Sequence, residues 1–484
     1  MGADPDGPRQ VNAIGQGQRV HFIGIGGYGM SGLARVLLQM GFAVTGSDAR
    51  PSERVEKLRA AGAQVFIGHD PAHVEGADVV VYSTDVPADN VELQAARARG
   101  LRVLHRSELL AEFLNRQSGI AVTGTHGKTT TTTMLALILA EGGLDPTALI
   151  GGEVPEFGGN ARLGAGPYVV AEADESDRSF LRYYPTVAVV TNIEPEHLEH
   201  YGGDFEQVLA AYRQFLGQVR SDGLIVACAD DPRVLALARE QMGRPGAPRV
   251  ILYGLGPEAA WSAREIRPEA GGTVFVAVRA GRDLGEVRLR VPGRHNVLNA
   301  LAALAVGDWL GLPFAEMART LAKFGGAKRR FQVIAEAQGI LVVDDYAHHP
   351  TEIQATLRAA REVAASRGGG RVVAVFQPQR YTRTYHLMEA FTRAFDDADV
   401  LVLTEIYSPP GERPIPGVSS RVLAERIQAR TGRPVVLIPD KEEIVAYLLE
   451  QARPGDLVLT MGAGDIWQVA RSFGERLVAA QPAR

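Results

Sequence analysis

A glycine-rich turn between an apolar strand and a helix is the feature that most constrains this chain. Residues 119–122 form an apolar run that predicts a short buried strand, and residues 134–140 have a helix-forming composition. Between the two lie Gly124, Gly127 and Lys128. In such a turn the backbone N–H groups and the helix N-terminus face an anion, and the lysine adds a full positive charge. The pattern therefore predicts an α/β layer with a nucleoside triphosphate site.

The spacing of this turn differs from that of the standard phosphate loop. Only Thr125 and His126 separate the two glycines, where the standard loop has a longer spacer. This difference argues against a GTPase or an adenylate kinase. The alternative is a glycine turn that leads into an ordinary helix, with the lysine solvated. The threonine run at 129–133 disfavours that alternative, because threonine suits a helix interior poorly and the hydroxyl of Thr129 can bind Mg²⁺.

The composition limits the classes of protein to consider. At 484 residues the chain is expected to form about three domains. A net charge of −5, with no block rich in Lys and Arg, argues against a nucleic-acid partner. Cys228 is the single cysteine, which excludes an intramolecular disulfide and is typical of a reducing compartment. No apolar run is long enough to span a membrane. We therefore expect no membrane partner and a cytoplasmic location, with a monomer or a weak homodimer.

Strand-like and helix-like runs alternate along the chain, which predicts α/β layers with mostly parallel sheets. Residues 1–18 are expected to form a flexible tail rather than a signal peptide. Boundaries near residues 117 and 326 give three domains: Rossmann-like at 19–117, central P-loop-type and mostly parallel at 118–326, and doubly wound Rossmann-like at 327–484. The predicted strands are 19–23, 42–45, 64–67, 78–82 and 102–104, then 168–171, 187–191 and 224–227, an antiparallel pair at 272–278 and 286–291, and finally 339–344, 372–376, 400–405, 435–438 and 456–460.

A second glycine motif follows the first predicted strand. Gly24, Gly26 and Gly29 spell G-x-G-x-x-G, and Asp48 follows about twenty residues later. Alone, this pattern indicates a dinucleotide cofactor, with the acidic residue on its ribose. A tight β–α turn without a ligand is the simpler alternative. Because a triphosphate loop comes later in the chain, a substrate linked to a nucleoside diphosphate suits both loops.

Acidic residues follow two of the central strands. The segment 172–177 carries several carboxylates directly after the strand 168–171, which suits Mg²⁺ or, alternatively, a solvated acidic loop. Asn192, Glu194 and His197 follow the strand 187–191. The string 196–200 does not have the spacing of a zinc protease motif, and a single cysteine excludes the deaminase pattern. We therefore expect magnesium rather than zinc.

Two more polar segments lie in the second half of the chain. Residues 344–352 follow a strand and lead to Pro350, which is typical of a first helical turn. Cations at 328–330 precede this segment, and Gln379 and Arg380 follow a later strand, which gives cations for a phosphate or carboxylate. A charged surface loop is the alternative. At 294–299, His295 suits stacking on a base, whereas helix capping or packing explains Asn296 and Asn299 about as well as a base contact does.

Seven motifs in this order resemble the Mur ligase family, and most closely its alanine-adding branch. The motifs are 24–30, 124–131, 172–177, 192–197, 294–299, 328–331 and 344–352. One departure is Glu196, where the family usually has aspartate. No lysine after His197 resembles the carbamylated lysine of the later Mur ligases, which agrees with the alanine-adding branch.

The resemblance implies an ATP-dependent ligase of peptidoglycan synthesis. Its first domain would bind the UDP part of UDP-N-acetylmuramate, its second Mg-ATP, and its third would close over both and admit L-alanine. ATP would phosphorylate the lactyl carboxylate, and the alanine amine would attack the acyl phosphate, giving ADP and phosphate. The cofactor would be one or two Mg²⁺ ions, with Mn²⁺ as a substitute. A murein tripeptide ligase acting on the same UDP-sugar acid is the nearest alternative. An NAD-dependent dehydrogenase and a non-catalytic nucleotide-binding module are more distant ones.

The resemblance also implies roles for individual residues. Catalytic roles fall to His126, Lys128, Glu172, His197 and Arg330. ATP binding falls to Gly124, Thr125, Gly127, Lys128, Thr129, Thr130, Asn192, His295, Asn296 and Asp345. Binding of the UDP-substrate is assigned to Gly26, Gly27, Gly29, Met30, Asp48, His69, Ser83 and Asn160, although no local pattern requires His69 or Ser83. Binding of the amino acid is assigned to Tyr346, His348 and Arg380, and binding of the metal to Thr129, Glu172 and His197.

Overall fold

The computed structural model of the protein describes residues 14–15, 17–269, 272–408 and 412–480. Most of the predicted tail at 1–18 therefore lies outside the described residues. The chain divides into two compact units. The first comprises 1–263, 277–285 and 298–321, and the second comprises 264–276, 286–297 and 322–484.

The described residues form mixed α/β structure. Their strands are β1 (Arg19–Ile23), β2 (Ala43–Asp48), β3 (Gln64–Ile67), β4 (Val79–Tyr82), β5 (Arg102–His105), β6 (Ser118–Thr123), β7 (Thr147–Val154), β8 (Gly159–Arg162), β9 (Tyr168–Glu172), β10 (Val187–Val190), β11 (Leu224–Cys228), β12 (Arg249–Tyr253), β13 (Trp261–Glu269), β14 (Gly272–Arg279), β15 (Arg282–Leu289), β16 (Gln332–Ala337), β17 (Ile340–Asp345), β18 (Val372–Phe376), β19 (Val400–Leu403), β20 (Val436–Leu437) and β21 (Leu457–Met461). Their helices are α1 (Tyr28–Gln39), α2 (Glu53–Ala60), α3 (Val91–Ala98), α4 (Arg106–Arg116), α5 (Lys128–Glu141), α6 (Phe205–Gly217), α7 (Pro232–Met242), α8 (Arg294–Trp309), α9 (Phe314–Leu321), α10 (Pro350–Ser366), α11 (Tyr381–His386), α12 (Met388–Thr392), α13 (Ser420–Thr431), α14 (Lys441–Gln451) and α15 (Trp467–Ala479).

The first sheet has five parallel strands in the order β3-β2-β1-β4-β5. The predicted Rossmann-like arrangement of this part of the chain is thereby confirmed. The strand order reverses between β1 and β4, and ligands of open α/β sheets bind at the carboxyl ends of strands at such a reversal. The G-x-G-x-x-G turn follows β1, and Ser83 follows β4.

The second sheet is centred on β6, which pairs in parallel with β9 on one side and with β10 on the other. Along the sheet the order is β8-β7-β9-β6-β10-β11-β12, and it continues through β13 into β14 and β15. Both units contain residues of these last three strands. A two-residue connection joins β14 to β15, which requires antiparallel strands and confirms the predicted antiparallel pair, although β15 begins at 282 rather than 286.

The third sheet lies in the second unit, in the order β16-β17-β21-β18-β19-β20. Its five predicted strands are confirmed, and they run parallel to one another. The antiparallel edge strand β16 was missed, because half-exposed residues that follow a glycine-containing segment lack the apolar run of a buried strand. Here too the strand order reverses, next to β17, whose carboxyl end carries Asp344 and Asp345.

Helix α5 begins at Lys128 and includes the whole threonine run, so the helix predicted from Met134 starts too late. All five threonines are buried. The hydroxyl groups of Thr132 and Thr133 donate to the carbonyl oxygens of Lys128 and Thr129, at 2.8 and 2.7 Å. Because these hydroxyls are satisfied within the helix, the low helix propensity of threonine does not end it.

Strand β11 ends at Cys228, the single cysteine of the chain. Its side chain is buried, and burial raises the pKa of the thiol to about 11. Among the helices of the described residues, none combines the length and the apolar character needed to cross a membrane.

Candidate active site

The triphosphate loop connects β6 to α5 and depends on two glycines in left-handed conformations. Gly124 has φ 135° and Gly127 has φ 82°. A Cβ atom on Gly124 would collide with Thr191, and one on Gly127 would lie 2.6 Å from Oδ1 of Asn299 on α8. Asn299 also accepts a hydrogen bond from the Thr131 hydroxyl at 3.1 Å. The loop is therefore packed too closely for a side chain at either glycine.

Residues after β10 hold the loop from the opposite side. The side chain of Asn192 accepts from the N–H of His126 at 2.8 Å and donates to its carbonyl oxygen at 3.1 Å. The Thr191 hydroxyl donates to the same carbonyl oxygen at 2.6 Å. Thr125 accepts from the N–H of Glu194 at 2.8 Å. The structure thus places the predicted ATP-binding residues Asn192 and Thr125 as supports of the loop backbone.

Lys128 is the first residue of α5, and its ammonium group lies inside the loop. It donates to the carbonyl oxygen of Gly124 and contacts that of Thr125 at 3.3 Å. Both carboxylate oxygens of the buried Glu175 lie close to it, at 2.9 and 3.0 Å. Burial opposes the charge of the lysine, but Glu175 and Asp174 outweigh burial and raise the pKa of Lys128. The lysine is therefore charged and paired.

The acidic segment after β9 lies at the same sheet edge as the loop, since Glu172 is in register with Val122 of β6. One oxygen of Glu172 accepts from the N–H of Gly151 at 2.6 Å. Asp174 accepts from Arg106, at the start of α4, at 2.9 Å. Burial opposes ionisation of Asp174, but Arg106 and Lys128 outweigh it and hold the pKa of this carboxyl group well below its ordinary value.

One of the two histidines predicted to be catalytic, His126, lies in the loop, and the other, His197, lies in the segment after β10. Nε2 of His126 lies 3.5 Å from a carboxylate oxygen of Glu194. His197 has φ 55° and precedes a short 3-10 turn at Leu198–Tyr201. Its Nε2 lies 3.9 Å from Glu196. A left-handed conformation is uncommon for a residue other than glycine, and here it precedes the 3-10 turn.

The diphosphate turn after β1 is tied to the end of β2. The N–H groups of Gly24 and Ile25 donate to the carbonyl oxygen of Ser47, and that of Gly26 donates to Oδ2 of Asp48 at 2.8 Å. Asp48 therefore shapes the turn, and the N–H of Gly26 is already bonded. The groups that remain for an anion are those at the start of α1, which contains the predicted residues Gly29 and Met30. Gly27 is the N-cap of α1, without a side-chain cap.

Around the predicted His69 lies a buried polar cluster that sequence reasoning did not predict. Nδ1 of His69 lies 3.1 Å from the Ser47 hydroxyl, which donates to Glu92 at 2.6 Å. Glu92 is fully buried, and His21 and His73 also bond to it, at 3.0 and 2.8 Å. Burial alone would raise the pKa of Glu92, but the bonds from His21, Ser47 and His73 lower it to about 2. Glu92 is therefore a fixed buried anion behind His69.

Two further predicted UDP-substrate residues lie close to these turns. Asn160 of β8 is buried, and its amide donates to the carbonyl oxygen of Tyr28 at 2.6 Å and to the Ser31 hydroxyl at 3.0 Å. It thus fixes the start of α1. Ser83 is buried at the end of β4. Both lie at the switch point of the first sheet or beside it.

In the second unit, Asp345 organises the end of β17. Its oxygens accept from the N–H groups of Phe331 and Ala347, each at 2.7 Å. Burial raises its pKa to about 6, against the effect of Arg330. Each oxygen of the carboxylate has a further lone pair, so these two backbone bonds do not exclude a hydrogen bond from a ribose hydroxyl. Arg330 lies over the ring of Tyr346 at 5.4 Å, which brings two predicted residues together.

At the start of α8, the predicted adenine-binding residues have separate environments. Burial, with Arg330 as the next cause, lowers the pKa of His295 to about 4, so its ring is neutral. The Asn296 amide donates to the carbonyl oxygen of Pro292 at 2.7 Å, which is the packing role that the sequence left open.

The predicted amino-acid residues lie at the carboxyl edge of the third sheet. Arg380 follows β18 with φ 67°, and its N–H donates to the carbonyl oxygen of Tyr407 at 2.9 Å. Within the described residues, its guanidinium group forms no hydrogen bond or ion pair. The rings of Tyr346 and His348 meet edge to face at 5.2 Å. Nδ1 of His348 lies 3.4 Å from Glu352.

Sequence reasoning missed two positions that contact the site, Glu175 and Arg106, and it left the role of a third, Asn299, open. Glu175 belongs to the acidic segment 172–177, but the sequence of that segment does not show which of its carboxylates contacts Lys128. Arg106 carried no local pattern. Asn299 was named with two open roles, and the structure shows that it supports the loop.

Three family models match the chain in succession. They are the Mur ligase family catalytic domain at residues 19–118, the Mur ligase middle domain at 122–307, and the Mur ligase glutamate ligase domain at 329–464.

Similar proteins extend the match to nearly the full length. The UDP-N-acetylmuramate–L-alanine ligase of Symbiobacterium thermophilum is 63% identical, over 95% of this chain and 95% of its own. That of Pelotomaculum thermopropionicum is 51% identical, over 95% and 98%. Among solved structures, the UDP-N-acetylmuramate-alanine ligase of Thermotoga maritima superposes with a TM-score of 0.81 at 30% identity, covering 96% and 100%. A murein peptide ligase of Psychrobacter arcticus gives 0.69 at 25% identity, covering 97% and 100%.

Proposed function

This chain belongs to the Mur ligase family, and on that premise we propose that it joins L-alanine to UDP-N-acetylmuramate in an ATP-dependent ligation of peptidoglycan synthesis. The observation that carries the proposal is the 63% identity, over 95% of both chains, to a ligase named for this reaction. The active-site geometry agrees with it, because a charged lysine, a carboxylate segment and two nucleotide-type turns lie at carboxyl edges of parallel sheets.

A murein tripeptide ligase is the second candidate, since it would act on the same UDP-sugar acid. The greater structural similarity to the alanine ligase favours the first, with TM-scores of 0.81 against 0.69. Phosphate release from ATP in the presence of UDP-N-acetylmuramate and either L-alanine or the tripeptide decides between them. We expect release with alanine. Release only with the tripeptide would refute the proposal.

The reaction has two covalent steps. A lactyl carboxylate oxygen attacks the γ-phosphorus of ATP, and the bond to ADP breaks. The alanine amine then attacks the carbonyl carbon of the acyl phosphate and loses its proton, and phosphate leaves from the tetrahedral intermediate. The first step brings two anions together, and the second develops negative charge on the carbonyl oxygen of the tetrahedral intermediate. Positioning and charge neutralisation are therefore what the protein must supply.

We assign the phosphate contacts of ATP to the loop after β6. Lys128 takes the β- and γ-phosphates, and the N–H groups at the start of α5 face the same oxygens. Thr130 is buried in the first turn of this helix. His126 is placed at the transferring phosphate and the sugar acid, beside Glu194.

The donor set beside the loop fits a divalent cation. Thr129 offers a hydroxyl oxygen and Glu172 a carboxylate at the same sheet edge, and Mg²⁺ prefers such oxygen ligands. Bound Mg²⁺, or Mn²⁺ in its place, neutralises charge on the phosphate oxygens. His197 offers a nitrogen, which is a less typical ligand for Mg²⁺, and we assign it to a second ion.

The UDP-substrate is assigned to the switch point of the first sheet. The start of α1 faces the diphosphate, and Asn160 keeps that helix start in place. His69 is held by Ser47, whose only proton goes to Glu92, so Nδ1 of His69 must carry a proton. Its Nε2 is the atom left for the nucleotide.

In the second unit, the neutral ring of His295 suits stacking on adenine. Within the described residues the guanidinium group of Arg380 has no partner, which suits the alanine carboxylate, and Tyr346 and His348 follow a strand of the same parallel sheet. We retain domain boundaries near 117 and 326, which the ranges of the three family models support. A hinge at each boundary would let the domains close before chemistry. We place the reaction in the cytoplasm, where its nucleotide substrates are.

A further inference from the structure

The contacts of the Lys128 ammonium group account for all of its hydrogens. An ammonium group has only three protons to donate. In the structure, four acceptors surround Nζ: the carbonyl oxygens of Gly124 and Thr125 and both carboxylate oxygens of Glu175. A phosphate oxygen that binds this lysine must therefore replace at least one of them.

The four acceptors differ in how freely they can be replaced. The two carbonyl oxygens belong to the loop itself, whose backbone is fixed by Asn192 and Thr191. The carboxylate of Glu175 sits at the end of a side chain with several rotatable bonds. Its own backbone is fixed separately, because its carbonyl oxygen accepts from the Tyr201 hydroxyl at 2.5 Å and from the N–H of Arg178 at 3.1 Å. The side chain can therefore turn away from Lys128 without unfolding the segment.

The charges of the four acceptors also indicate that Glu175 is the one that a phosphate would replace. Glu175 is the only charged group among the four acceptors, and its side chain is 8% exposed, against 19% for Lys128. A buried pair of this kind is neutral overall, so the loop offers an approaching anion less net charge than its lysine alone would.

We propose that Glu175 is a positioning residue whose carboxylate binds Lys128 in place of a phosphate when no nucleotide is bound. When the nucleotide binds, its phosphates displace this carboxylate from Lys128. The proposal rests on the proposed function only in that the loop binds a nucleotide. Glu175 keeps the ammonium group aligned with the loop, but its carboxylate also competes with the phosphates for that ammonium group. A nucleoside di- or triphosphate outcompetes the carboxylate because it also bonds to the N–H groups at the start of α5, whereas a small anion gains less from them.

The test is a double-mutant cycle on ADP binding. ADP is titrated by calorimetry into the full-length protein in EDTA, without divalent cations, so that a metal-ligand role of Glu175 does not contribute. The proteins are the wild type, Glu175→Gln, Lys128→Ala and the double variant. Glutamine keeps the shape and one acceptor oxygen but removes the competing charge. We expect Glu175→Gln to bind ADP roughly tenfold more tightly when Lys128 is present, and within about twofold of its parent when Lys128 is alanine.

Asp177→Asn is the matched control, because it removes a charge from the same segment without touching Lys128. Asp177 bonds to Ser179 and Thr84 instead. We expect its ADP affinity to stay within about twofold of the wild type. Tightening by Asp177→Asn equal to that of Glu175→Gln would overturn the proposal, since it would show a general charge effect.

The outcomes separate this proposal from the proposed function. Weaker or unchanged ADP binding by Glu175→Gln, with an unchanged unfolding midpoint, would overturn the exchange. A lower unfolding midpoint together with weaker binding would show that the pair is purely structural, and would overturn it as well. Failure of the wild type to bind ADP at all would instead refute the nucleotide site. Because neither UDP-N-acetylmuramate nor L-alanine is present, a wrong amino-acid assignment would leave this result unaffected.

Discussion

Arg106 and Asp174 form a 2.9 Å hydrogen-bonded ion pair between the first sheet and the second. Arg106 opens α4 after β5, and Asp174 follows β9. The same guanidinium group lies 3.3 Å from where a Cβ atom on Gly29 would be. One arginine thus bonds to the acidic segment of the triphosphate site and lies beside Gly29 in the first turn of α1.

We expect Arg106→Ala to destabilise the protein by about 2 kcal/mol, because it leaves the carboxylate of Asp174, whose side chain is 33% exposed, without its cation and beside Glu175. In a chain of this size the thermal unfolding midpoint should fall by several degrees. Differential scanning fluorimetry measures this change. Arg116→Ala is the control, because Arg116 pairs with Glu112 at the surface and its loss should cost less than about 1 kcal/mol. Equal shifts for the two variants would contradict this prediction.

Lys128→Ala should reduce the rate of phosphate release at least about a thousandfold, since it removes the cation at the transferring phosphate. The assay uses ATP, UDP-N-acetylmuramate and L-alanine at saturation. Binding of UDP-N-acetylmuramate alone should stay unchanged, because that site is assigned to the first sheet. Lys323→Ala, which removes an exposed lysine, should keep full activity. A Lys128→Ala variant that retained most of its turnover would exclude the assigned role.

Glu172→Gln should raise the Mg²⁺ concentration required for half-maximal activity about tenfold or more, because amide oxygen is a weaker ligand than carboxylate. Titrating MgCl₂ at fixed ATP measures this value. Addition of excess EDTA should abolish turnover in the wild type. Glu156→Gln, in the short turn after β7, is the control and should leave the Mg²⁺ dependence as it is. If Glu172→Gln required the same Mg²⁺ concentration for half-maximal activity as the wild type, Glu172 would not be a ligand of the metal.

The buried anion Glu92 predicts a specific pH dependence of stability. Its folded-state pKa of about 2 lies below the ordinary value of 4.5. The unfolded chain therefore binds the proton more readily, and the stability that Glu92 contributes is fully present above about pH 4.5 and is lost as the pH falls towards 2. Glu92→Gln should unfold at a lower temperature than the wild type at pH 7, and the difference should narrow towards pH 3. A difference independent of pH would show that ionisation of Glu92 is not the cause.

Arg380→Ala should raise KM for L-alanine about tenfold or more, with a much smaller change in KM for ATP, because a paired carboxylate loses its cation. Arg471→Ala removes an arginine paired with Glu475 on the surface of α15 and should change neither constant. An increase in KM for ATP alone would reassign Arg380 to the nucleotide.

The sequence predicted those features that depend on local pattern. Apolar runs that end in glycine or acidic residues located β1, β6, β9 and β17, and parallel pairing then brought their carboxyl ends to shared edges. The predicted residues Lys128 and Glu172 therefore lie at one shared sheet edge. The edge strand β16 lacked such a run, and the buried hydroxyls of the threonine run made α5 start earlier than propensity indicated.

Contacts between distant parts of the chain could not be predicted from the sequence. The bond between Thr131 and Asn299 joins residues 168 positions apart, and that between Arg106 and Asp174 joins residues 68 apart. Neither residue of such a pair signals its partner. Glu175 shows the same limit at closer range: the motif contained it, but only the turn after β9 decides that its carboxylate meets Lys128.

The lone cysteine makes the chain a ready-made background for site-specific labelling. Cys228 is buried and its thiol has a pKa of about 11, so at neutral pH almost none of it is the reactive thiolate. A maleimide dye added to the native fold should therefore leave it unmodified. A single cysteine introduced on an exposed helix face can carry a probe without any prior substitution, and a pair of such cysteines on either side of a proposed hinge would report closure directly by energy transfer.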